Sequence, residues 1–319
     1  MKYIITGGLG FIGSHLIEKL KGKETINIDN NCSLSENKLD YINADVRDKD
    51  IEKYFEEGDI VIHLAAISSL PECQDNPQLA FDNNVNGTVN ILEISRKKKI
   101  KKIIFASTSA IYENNKIFPC KEEDIVNPTL IYSLTKKHCE DICLSYVKNY
   151  DMDISIIRFF NTYGSNQNFV RKSPPLTIYI LKELLDNRSP ILHSDGEQKR
   201  DYVYIEDLTN LILLIVNKDN IKCNIFNACS GDLVSVNEIY KIISTKLDKN
   251  IQPKYNQAEN FWNKYEFSKD FNKEIIKEEV VKYTLGSNDK SKELLNWKLN
   301  YTMELGLEKM IKDFIKKNQ

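Results

Sequence analysis

The first half of the chain alternates short apolar runs with longer segments in which apolar residues recur at helical spacing. Five runs rich in β-branched residues predict strands: YIIT (3–6), TINID (25–29), DIVIHLAA (59–66), KIIFAS (102–107) and DISIIRF (153–159). Intervening segments such as SHLIEKLK and NGTVNILEISRKK carry the 3.6-residue period of helices. Several strands are apolar at consecutive positions, as in sheets covered on both faces. The alternation predicts an α/β fold with a doubly wound parallel sheet.

The character of the chain changes after about residue 165. Prolines appear at 173–176, a helical segment LTIYILKELLDN follows, and the sequence from residue 250 is rich in Asn, Lys and aromatic residues. A length of 319 residues suits two domains. We therefore expect one domain over 1–165 and a smaller α/β domain over 166–319, some segments of which return to the first.

Composition excludes several classes of function. The formal net charge is −2, which gives no reason to expect a nucleic-acid partner, and the basic run 96–102 follows a helical pattern whose C-terminus favours cations. Seven cysteines without CxxC pairs and four histidines without ligand spacing indicate reduced thiols and no metal site. The N-terminus does not look like a signal peptide, and the longest apolar run, 211–216, is too short to span a bilayer. We expect a soluble, cytoplasmic protein without membrane contact.

A glycine-rich loop, TGGLGFIG (6–13), connects the first strand to the first helical segment. Strand, Gly-x-x-Gly-x-x-Gly and helix in this order form the context of a dinucleotide fingerprint. The glycines let the backbone approach a pyrophosphate, and the helix N-terminus offers N–H groups to it. This predicts a Rossmann-type NAD-binding domain over 1–165, with the substrate bound by 166–319.

Two acidic residues follow the next strands. Asp29 ends INIDN about 20 residues after the loop, where a carboxylate accepts hydrogen bonds from the adenosine ribose and repels a 2′-phosphate. This favours NAD over NADP, and the adjacent Asn30 is assigned to the same region. Asp45 and Val46 follow a later short strand, and we expect them to contact the adenine by a hydrogen bond and by packing.

Three Tyr-x-x-x-Lys pairs occur in the chain, a spacing that puts both side chains on one helix face: Tyr112/Lys116, Tyr132/Lys136 and Tyr265/Lys269. The bare pattern does not choose among them. Only Tyr132 lies 24 residues after a hydroxyl residue, Thr108, that is itself four residues before the tyrosine of an Ala-Ile-Tyr.

Seven segments, in chain order, resemble the extended short-chain dehydrogenase/reductases that act on nucleotide sugars as NAD-dependent epimerases and dehydratases. The resemblance covers nearly the whole chain. It is carried by TGGLGFIG, HLAA (63–66), NNVNGT (83–88), FASTSAIY (105–112), NPTLIYSLTKK (127–137), RFFNTYG (158–164) and GEQKRDYVYIEDL (196–208).

The resemblance implies a catalytic triad of Thr108, Tyr132 and Lys136. Tyr132 would be the general base, its pKa lowered by the Lys136 ammonium and the nicotinamide, Lys136 would also hold the nicotinamide ribose, and Thr108 would bind the reacting oxygen. Asn84 would join the proton relay and the ribose contacts. Besides Asn84, Tyr132 and Lys136, the family pattern assigns the NAD contacts to Gly7, Gly10, Phe11, Ile12, Gly13, Asp29, Asn30, Asp45, Val46, Leu64, Ala65, Ala66 and Phe159.

On the substrate side, the resemblance assigns the diphosphate to Arg200, whose guanidinium fork suits phosphate, with Asn161 as an amide donor. Counting back from LLNW (294–297) puts a second basic residue near Lys277, although the family uses arginine there. The same count puts Thr284 beside the C2 substituent, where threonine leaves room for an N-acetyl group.

The residues after Thr108 favour 4-epimerisation over the other reactions of the family. Dehydratases carry Asp-Glu there and decarboxylases Ser-Glu, whereas this chain has Ser109 and Ala110. Glu113 lies too late in the strand to substitute unless the loop bends back. A 4,6-dehydratase, a 4-keto reductase and a non-catalytic NAD-binding regulator remain alternatives.

The resemblance also implies a partner. The helical segments near 84–98 and 133–149 carry apolar, Cys and Tyr positions beyond a sheet-facing stripe, including Cys139, Cys143 and Tyr146. Matching helices in the family form a four-helix bundle, so we expect a homodimer with a UDP-sugar as the small-molecule partner; the alternative is that these residues are core.

Overall fold

The computed structural model describes residues 1–30, 39–219, 221 and 224–318. Within them the strands are β1 (Tyr3–Thr6), β2 (Thr25–Asp29), β3 (Ile42–Asn43), β4 (Ile60–His63), β5 (Lys102–Thr108), β6 (Ile154–Phe159), β7 (Asn161–Tyr163), β8 (Ile191–His193), β9 (Lys199–Tyr204), β10 (Ile225–Ala228), β11 (Leu233–Ser235) and β12 (Lys254–Asn256). The α-helices are α1 (Phe11–Lys19), α2 (Leu70–Asp75), α3 (Pro77–Phe81), α4 (Gly87–Lys97), α5 (Ile131–Tyr150), α6 (Leu176–Leu185), α7 (Ile205–Asn217), α8 (Val236–Lys246), α9 (Lys273–Val281), α10 (Asp289–Leu295) and α11 (Met303–Asn318).

The central sheet is parallel and runs in the order β3-β2-β1-β4-β5-β6-β10. The chain moves outward in one direction from β1 and in the other from β4, so the strand order reverses between these two strands. Ligands of such sheets bind outside the carboxyl ends of the strands at the reversal. The predicted doubly wound parallel sheet is confirmed, and it places a crevice where Gly7 and Leu64 leave the sheet.

Each face of the sheet has its own core. Ile4 packs with Ile91 on the side of α4 and α5, whereas the next residue, Ile5, packs with Leu16 and Ile212 on the side of α1 and α7. Burying each such side chain contributes about 1.5–3 kcal/mol relative to leaving it exposed. Consecutive apolar residues in the strands are therefore needed because both faces are covered.

The second half of the chain is interleaved with the first. Strand β10 pairs with β6 at the edge of the central sheet, and α7 packs against α1. Strands β7, β9 and β11 form a small sheet, and β8 pairs with β12. This arrangement puts β9, with Arg200, close to the carboxyl edge of β6.

One predicted strand is shorter than expected. The run 59–66 was expected to be extended throughout, but β4 ends at His63 and Leu64–Ala66 turns out of the sheet toward Gly7. These residues face the crevice because the backbone leaves the ladder there. Among the helices of the described ranges, none combines the length and apolar character needed to cross a membrane.

Candidate active site

The glycine loop forms a cradle between β1 and α1. Gly7 has φ +75°, and a Cβ there would lie 2.8 Å from Ala65 N, while a Cβ on Gly13 would lie 2.5 Å from Gly7 O. Gly10 is the N-cap of α1, so the helix N-terminus faces the cradle without an intervening side chain. Backbone N–H groups and the positive end of a helix suit a pyrophosphate, so the loop fits a dinucleotide.

A cavity of about 670 Å³ extends from this cradle along the carboxyl edge of the sheet. Most of the predicted cofactor and catalytic residues line it: Gly7, Gly10, Phe11, Ile12, Gly13, Asp29, Asn30, Val46, Leu64, Ala65, Ala66, Thr108, Tyr132, Lys136 and Phe159. Asp45, Asn84, Asn161, Arg200, Lys277 and Thr284 lie outside this lining. The structure therefore brings the predicted cofactor and catalytic residues together more closely than the predicted substrate residues.

At the adenosine end, Asp29 accepts a hydrogen bond from the backbone N–H of Leu9 at 2.9 Å, which fixes its carboxylate at the cavity wall. Asp45 instead faces neighbouring protein groups, accepting hydrogen bonds from Asn30 Nδ2 and from Arg47, each at 2.8 Å. Arg47 and Asn30 thus engage both carboxylate oxygens, and the expected hydrogen bond between Asp45 and adenine stays a prediction.

Arg47 was not identified from the sequence, although it follows Asp45 by only two positions. Its guanidinium lowers the pKa of Asp45 from the usual 3.8 to about 2. The ionised carboxylate therefore stabilises the fold above pH 3.8, and this contribution is lost as the pH falls toward about 2. We expect Asp45→Asn to reduce the free energy of unfolding at neutral pH and to reduce it less in acid. Urea unfolding over a pH series measures this; a pH-independent offset would contradict it.

The three predicted catalytic residues meet where β5 and α5 approach each other. Thr108 ends β5, and Tyr132 and Lys136 lie one turn apart on α5 with 9% and 4% of their surface exposed. Lys136 Nζ donates a hydrogen bond to Ala106 O at 2.8 Å. This hydrogen bond holds Lys136 against β5, where it lines the cavity.

Burial dominates the electrostatics of this pair. It raises the pKa of Tyr132 to about 12, while a hydrogen bond with Thr108 acts in the opposite direction. Burial also lowers the pKa of Lys136. The expectation that Lys136 and the nicotinamide ring together favour the phenolate stays a prediction, because these pKa directions describe the protein groups alone.

Asn84 braces the site from behind the cavity wall. It lies in a π-helical turn, Asp82–Asn86, and is 1% exposed. Its Oδ1 accepts from Ile67 N at 2.8 Å, and its Nδ2 donates to Ile67 O and to Thr135 Oγ1, both at 3.1 Å. These bonds tie the loop after β4 to α5, so the expected ribose contact of Asn84 stays a prediction.

A buried ion pair joins α5 to the neighbouring strand β6. Arg158 binds Glu140 through Nε and Nη2 at 3.0 and 2.8 Å, and its Nη1 donates to Tyr112 OH at 2.6 Å. Ser107, next to Thr108, donates to Glu140 Oε1 at 2.5 Å. Tyr112, the tyrosine of another Tyr-x-x-x-Lys pair, is therefore a core residue of this network.

The predicted substrate residues are engaged with the protein. The guanidinium of Arg200 donates to the carbonyl oxygens of Glu279 and Val280, at the end of α9, and lies 3.6 Å from the Glu279 carboxylate. Asn161 Nδ2 donates to Asp201 O at 2.9 Å. Thr284 is buried and pairs with Arg200 through a β-bridge.

Lys277, predicted as the second basic residue for the diphosphate, faces solvent in the structure. Its side chain is 53% exposed and its Nζ lies 3.8 Å from Glu274. Lys282 contacts Glu279 instead, at 2.5 Å, and Glu279 thereby lies between Lys282 and Arg200. Lys277 lies two positions before Glu279 and so on another side of α9, and its part in a diphosphate clamp stays a prediction.

The far end of the cavity contains residues that sequence reasoning missed. Glu72 on α2 and Arg171, in the loop before α6, both line it, and their charged groups lie 3.9 Å apart. Gln167 and Asn168 line the same end. No local pattern marks these residues, because α2 and loop 164–175 reach the site only through tertiary packing.

Comparisons with known proteins agree with this geometry. Residues 3–229 match the model of the NAD dependent epimerase/dehydratase family. A putative UDP-glucose 4-epimerase of Methanocaldococcus jannaschii is 37% identical over 253 residues, which cover 76% of this chain and 82% of that protein.

Two solved structures cover nearly the whole chain. The UDP-glucose 4-epimerase of Thermotoga maritima, solved with UDP-glucose, has a TM-score of 0.88 at 28% identity and covers 100% of both chains. The UDP-N-acetylglucosamine 4-epimerase of Methanobrevibacter ruminantium, in complex with UDP-N-acetylmuramic acid, has a TM-score of 0.88 at 28% identity and covers 99% of this chain and 98% of that one. With a glycine cradle that fits a dinucleotide, the chain belongs to the NAD dependent epimerase/dehydratase family and uses NAD.

Proposed function

We propose that this chain is a nucleotide-sugar 4-epimerase that acts on a UDP-sugar. The observation that carries the proposal is the meeting of Thr108, Tyr132 and Lys136 at one end of the NAD cavity, with Ser109 and Ala110 in the positions after Thr108. One acid–base group suffices to oxidise and re-reduce the same carbon, whereas dehydration needs a further acid. The relatives described above support the same reaction.

In this reaction Tyr132 exchanges one proton with the C4 oxygen of the sugar. Tyr132 accepts the hydroxyl proton when the 4-keto sugar forms and returns it at the end, while Thr108 holds the same oxygen by a hydrogen bond. Bound NAD supplies the acceptor for the C4 hydride and the means of its return. Rotation of the 4-keto sugar presents its other face, and the product is the 4-epimer without net oxidation.

Proton NMR of the protein with UDP-glucose, UDP-N-acetylglucosamine and GDP-sugars, with trace NAD⁺, tests the proposal. We expect conversion to the 4-epimer without added reductant. A 4-keto-6-deoxy product would indicate a dehydratase and point to Glu72, the carboxylate that lines the far end of the cavity. A requirement for stoichiometric NAD(P)H would indicate a reductase, and binding without turnover a regulator.

We assign the substrate diphosphate to Arg200, with the phosphates taking the place of the Glu279 carboxylate. Arg200→Met should raise KM about 10- to 100-fold, since hydrogen bonds to charged groups contribute about 1.5–3 kcal/mol, and should leave kcat nearly unchanged. Lys277→Met is the control: the Lys277 side chain faces solvent in the same region, so its loss should have little effect on KM. Steady-state kinetics of both variants measure this; equal increases in KM would restore Lys277 to the clamp.

We include N-acetylated sugars among the substrates. The proposal rests on Thr284, which is predicted to face the C2 substituent and is smaller than an aromatic side chain. The similarity to the structure of a UDP-N-acetylglucosamine 4-epimerase supports it. The NMR comparison of UDP-glucose with UDP-N-acetylglucosamine ranks the two sugars directly.

We further propose a cytoplasmic homodimer, with 1–165 and 166–319 as cofactor and substrate domains joined by the returning segments α7 and β10. Cys139 and Cys143 are fully buried core residues, so they do not support an interface. Ile142, Leu144 and Val147 on α5 are only partly buried, and a partner helix pair would cover them. Sedimentation equilibrium tests the dimer.

A further inference from the structure

Glu113 joins two segments that are distant in sequence. It follows the 3₁₀ turn Ser109–Tyr112, and its carboxylate reaches the start of α5. Oε1 accepts hydrogen bonds from the backbone N–H of Thr129 and from that of Leu130 at 2.9 Å. Oε2 accepts from Ser133 Oγ at 2.7 Å. Both carboxylate oxygens are therefore committed to the helix that carries Tyr132.

The sequence around the start of α5 explains why an outside carboxylate is needed. The N-cap is Leu130, whose side chain cannot accept a hydrogen bond, and the first turn, Ile131–Leu134, contains no acidic residue. The first N–H groups of a helix require partners and favour a negative charge. Glu113, at the end of the turn that follows β5, supplies a negative charge and a partner for one of these groups, the N–H of the N-cap Leu130.

Two other contacts fasten α5 to β5 further along the helix. Lys136 Nζ donates to Ala106 O at 2.8 Å, and Ser107 Oγ donates to Glu140 Oε1 at 2.5 Å. These contacts begin beyond Tyr132. Glu113 holds the start of the helix, through Thr129 and Leu130 before Tyr132 and through Ser133 directly after it.

We infer that Glu113 is a positioning residue that sets the distance between Thr108 and Tyr132. Thr108 lies at the start of the turn that ends at Glu113, and its Oγ1 accepts from Ala110 N at 3.1 Å within that turn. The Glu113 carboxylate then fixes the helix residue next to Tyr132. This role rests on the proposed function, because it matters only where the two hydroxyl groups share one substrate oxygen.

Kinetics of Glu113→Ala and Glu113→Gln test this role. We expect Glu113→Ala to lower kcat about 100-fold with little change in KM, as a displacement of roughly 1 Å in a reacting group does. Glu113→Gln keeps an amide oxygen for the Leu130 N–H and should recover most of the lost kcat. The matched control is Glu238→Ala, which removes the acidic cap of α8, a capping box with Ser235.

A second readout does not depend on activity. In protein labelled with ¹³C in its tyrosine rings, the Tyr132 signal is the one that Tyr132→Phe removes. We expect Glu113→Ala to shift or broaden this signal and Glu238→Ala to leave it unchanged. An unchanged Tyr132 signal in Glu113→Ala, or equal losses of kcat in both alanine variants, would overturn the role. If the wild type converts no nucleotide sugar, the proposed function fails, while the Tyr132 signal still decides whether Glu113 positions the ring.

Discussion

Replacing Tyr132 by phenylalanine should lower kcat by about 10²- to 10⁴-fold, the usual contribution of a positioned acid–base group. The ring remains, so packing at this buried position is preserved while the exchangeable proton is lost. NAD should stay bound, because the cradle at Gly7 and Gly13 lies at the other end of the cavity. Proton NMR of the sugar and quantitation of NAD in the purified variant measure the two effects separately.

Tyr265→Phe is the control for this substitution. Tyr265 belongs to another Tyr-x-x-x-Lys pair, is 2% exposed and donates a hydrogen bond to Ser173 Oγ at 2.9 Å. We expect its activity to remain within a few-fold of the wild type. Retention of full activity in Tyr132→Phe would remove Tyr132 from the mechanism and leave the proton transfer without its base.

Replacing Arg158 by methionine should produce the largest loss of stability, about 3–5 kcal/mol, because it leaves the buried Glu140 carboxylate without its cation. Arg158 and Glu140 side chains are only 4% and 2% exposed, and Arg158 also binds Tyr112 OH and Glu122 O. Urea unfolding of the variant measures the change in the free energy of unfolding.

Two further variants isolate the buried charge. Arg188 forms a similar forked pair with Glu183, but it is 53% exposed, and Arg188→Met should change stability little. Combining Arg158→Met with Glu140→Gln removes both charges and should be more stable than Arg158→Met alone. Equal losses of stability in Arg158→Met and Arg188→Met would contradict the prediction that burial makes the Arg158–Glu140 pair costly to break.

The parallel sheet and the NAD cofactor could be predicted from the sequence for a physical reason. A buried parallel strand needs apolar residues on both faces, and a pyrophosphate loop needs glycine where a Cβ would meet backbone, as at Gly7 and Gly13. Both requirements act over a few consecutive residues. They are therefore visible in YIITGGLGFIG without knowledge of the remaining chain.

The positions of the substrate-binding residues depend on contacts that no local sequence pattern encodes. Counting back along the chain put a second phosphate-binding cation near Lys277, whereas the side chain of α9 that faces Arg200 is Glu279. The position of a side chain around a helix changes by about 100° per residue, so an error of two positions in an irregular region moves a residue to another face.

The sequence by itself determined the order of strands and helices, the glycine loop, and the identity of Thr108, Tyr132 and Lys136 as the candidate catalytic residues. Only the tertiary structure decided that burial sets the pKa of Tyr132 and that the Glu113 carboxylate caps α5 across 20 residues of chain to Ser133. The reason is that desolvation and long-range hydrogen bonds depend on which segments pack together, whereas strand and helix periods depend on neighbours in the chain.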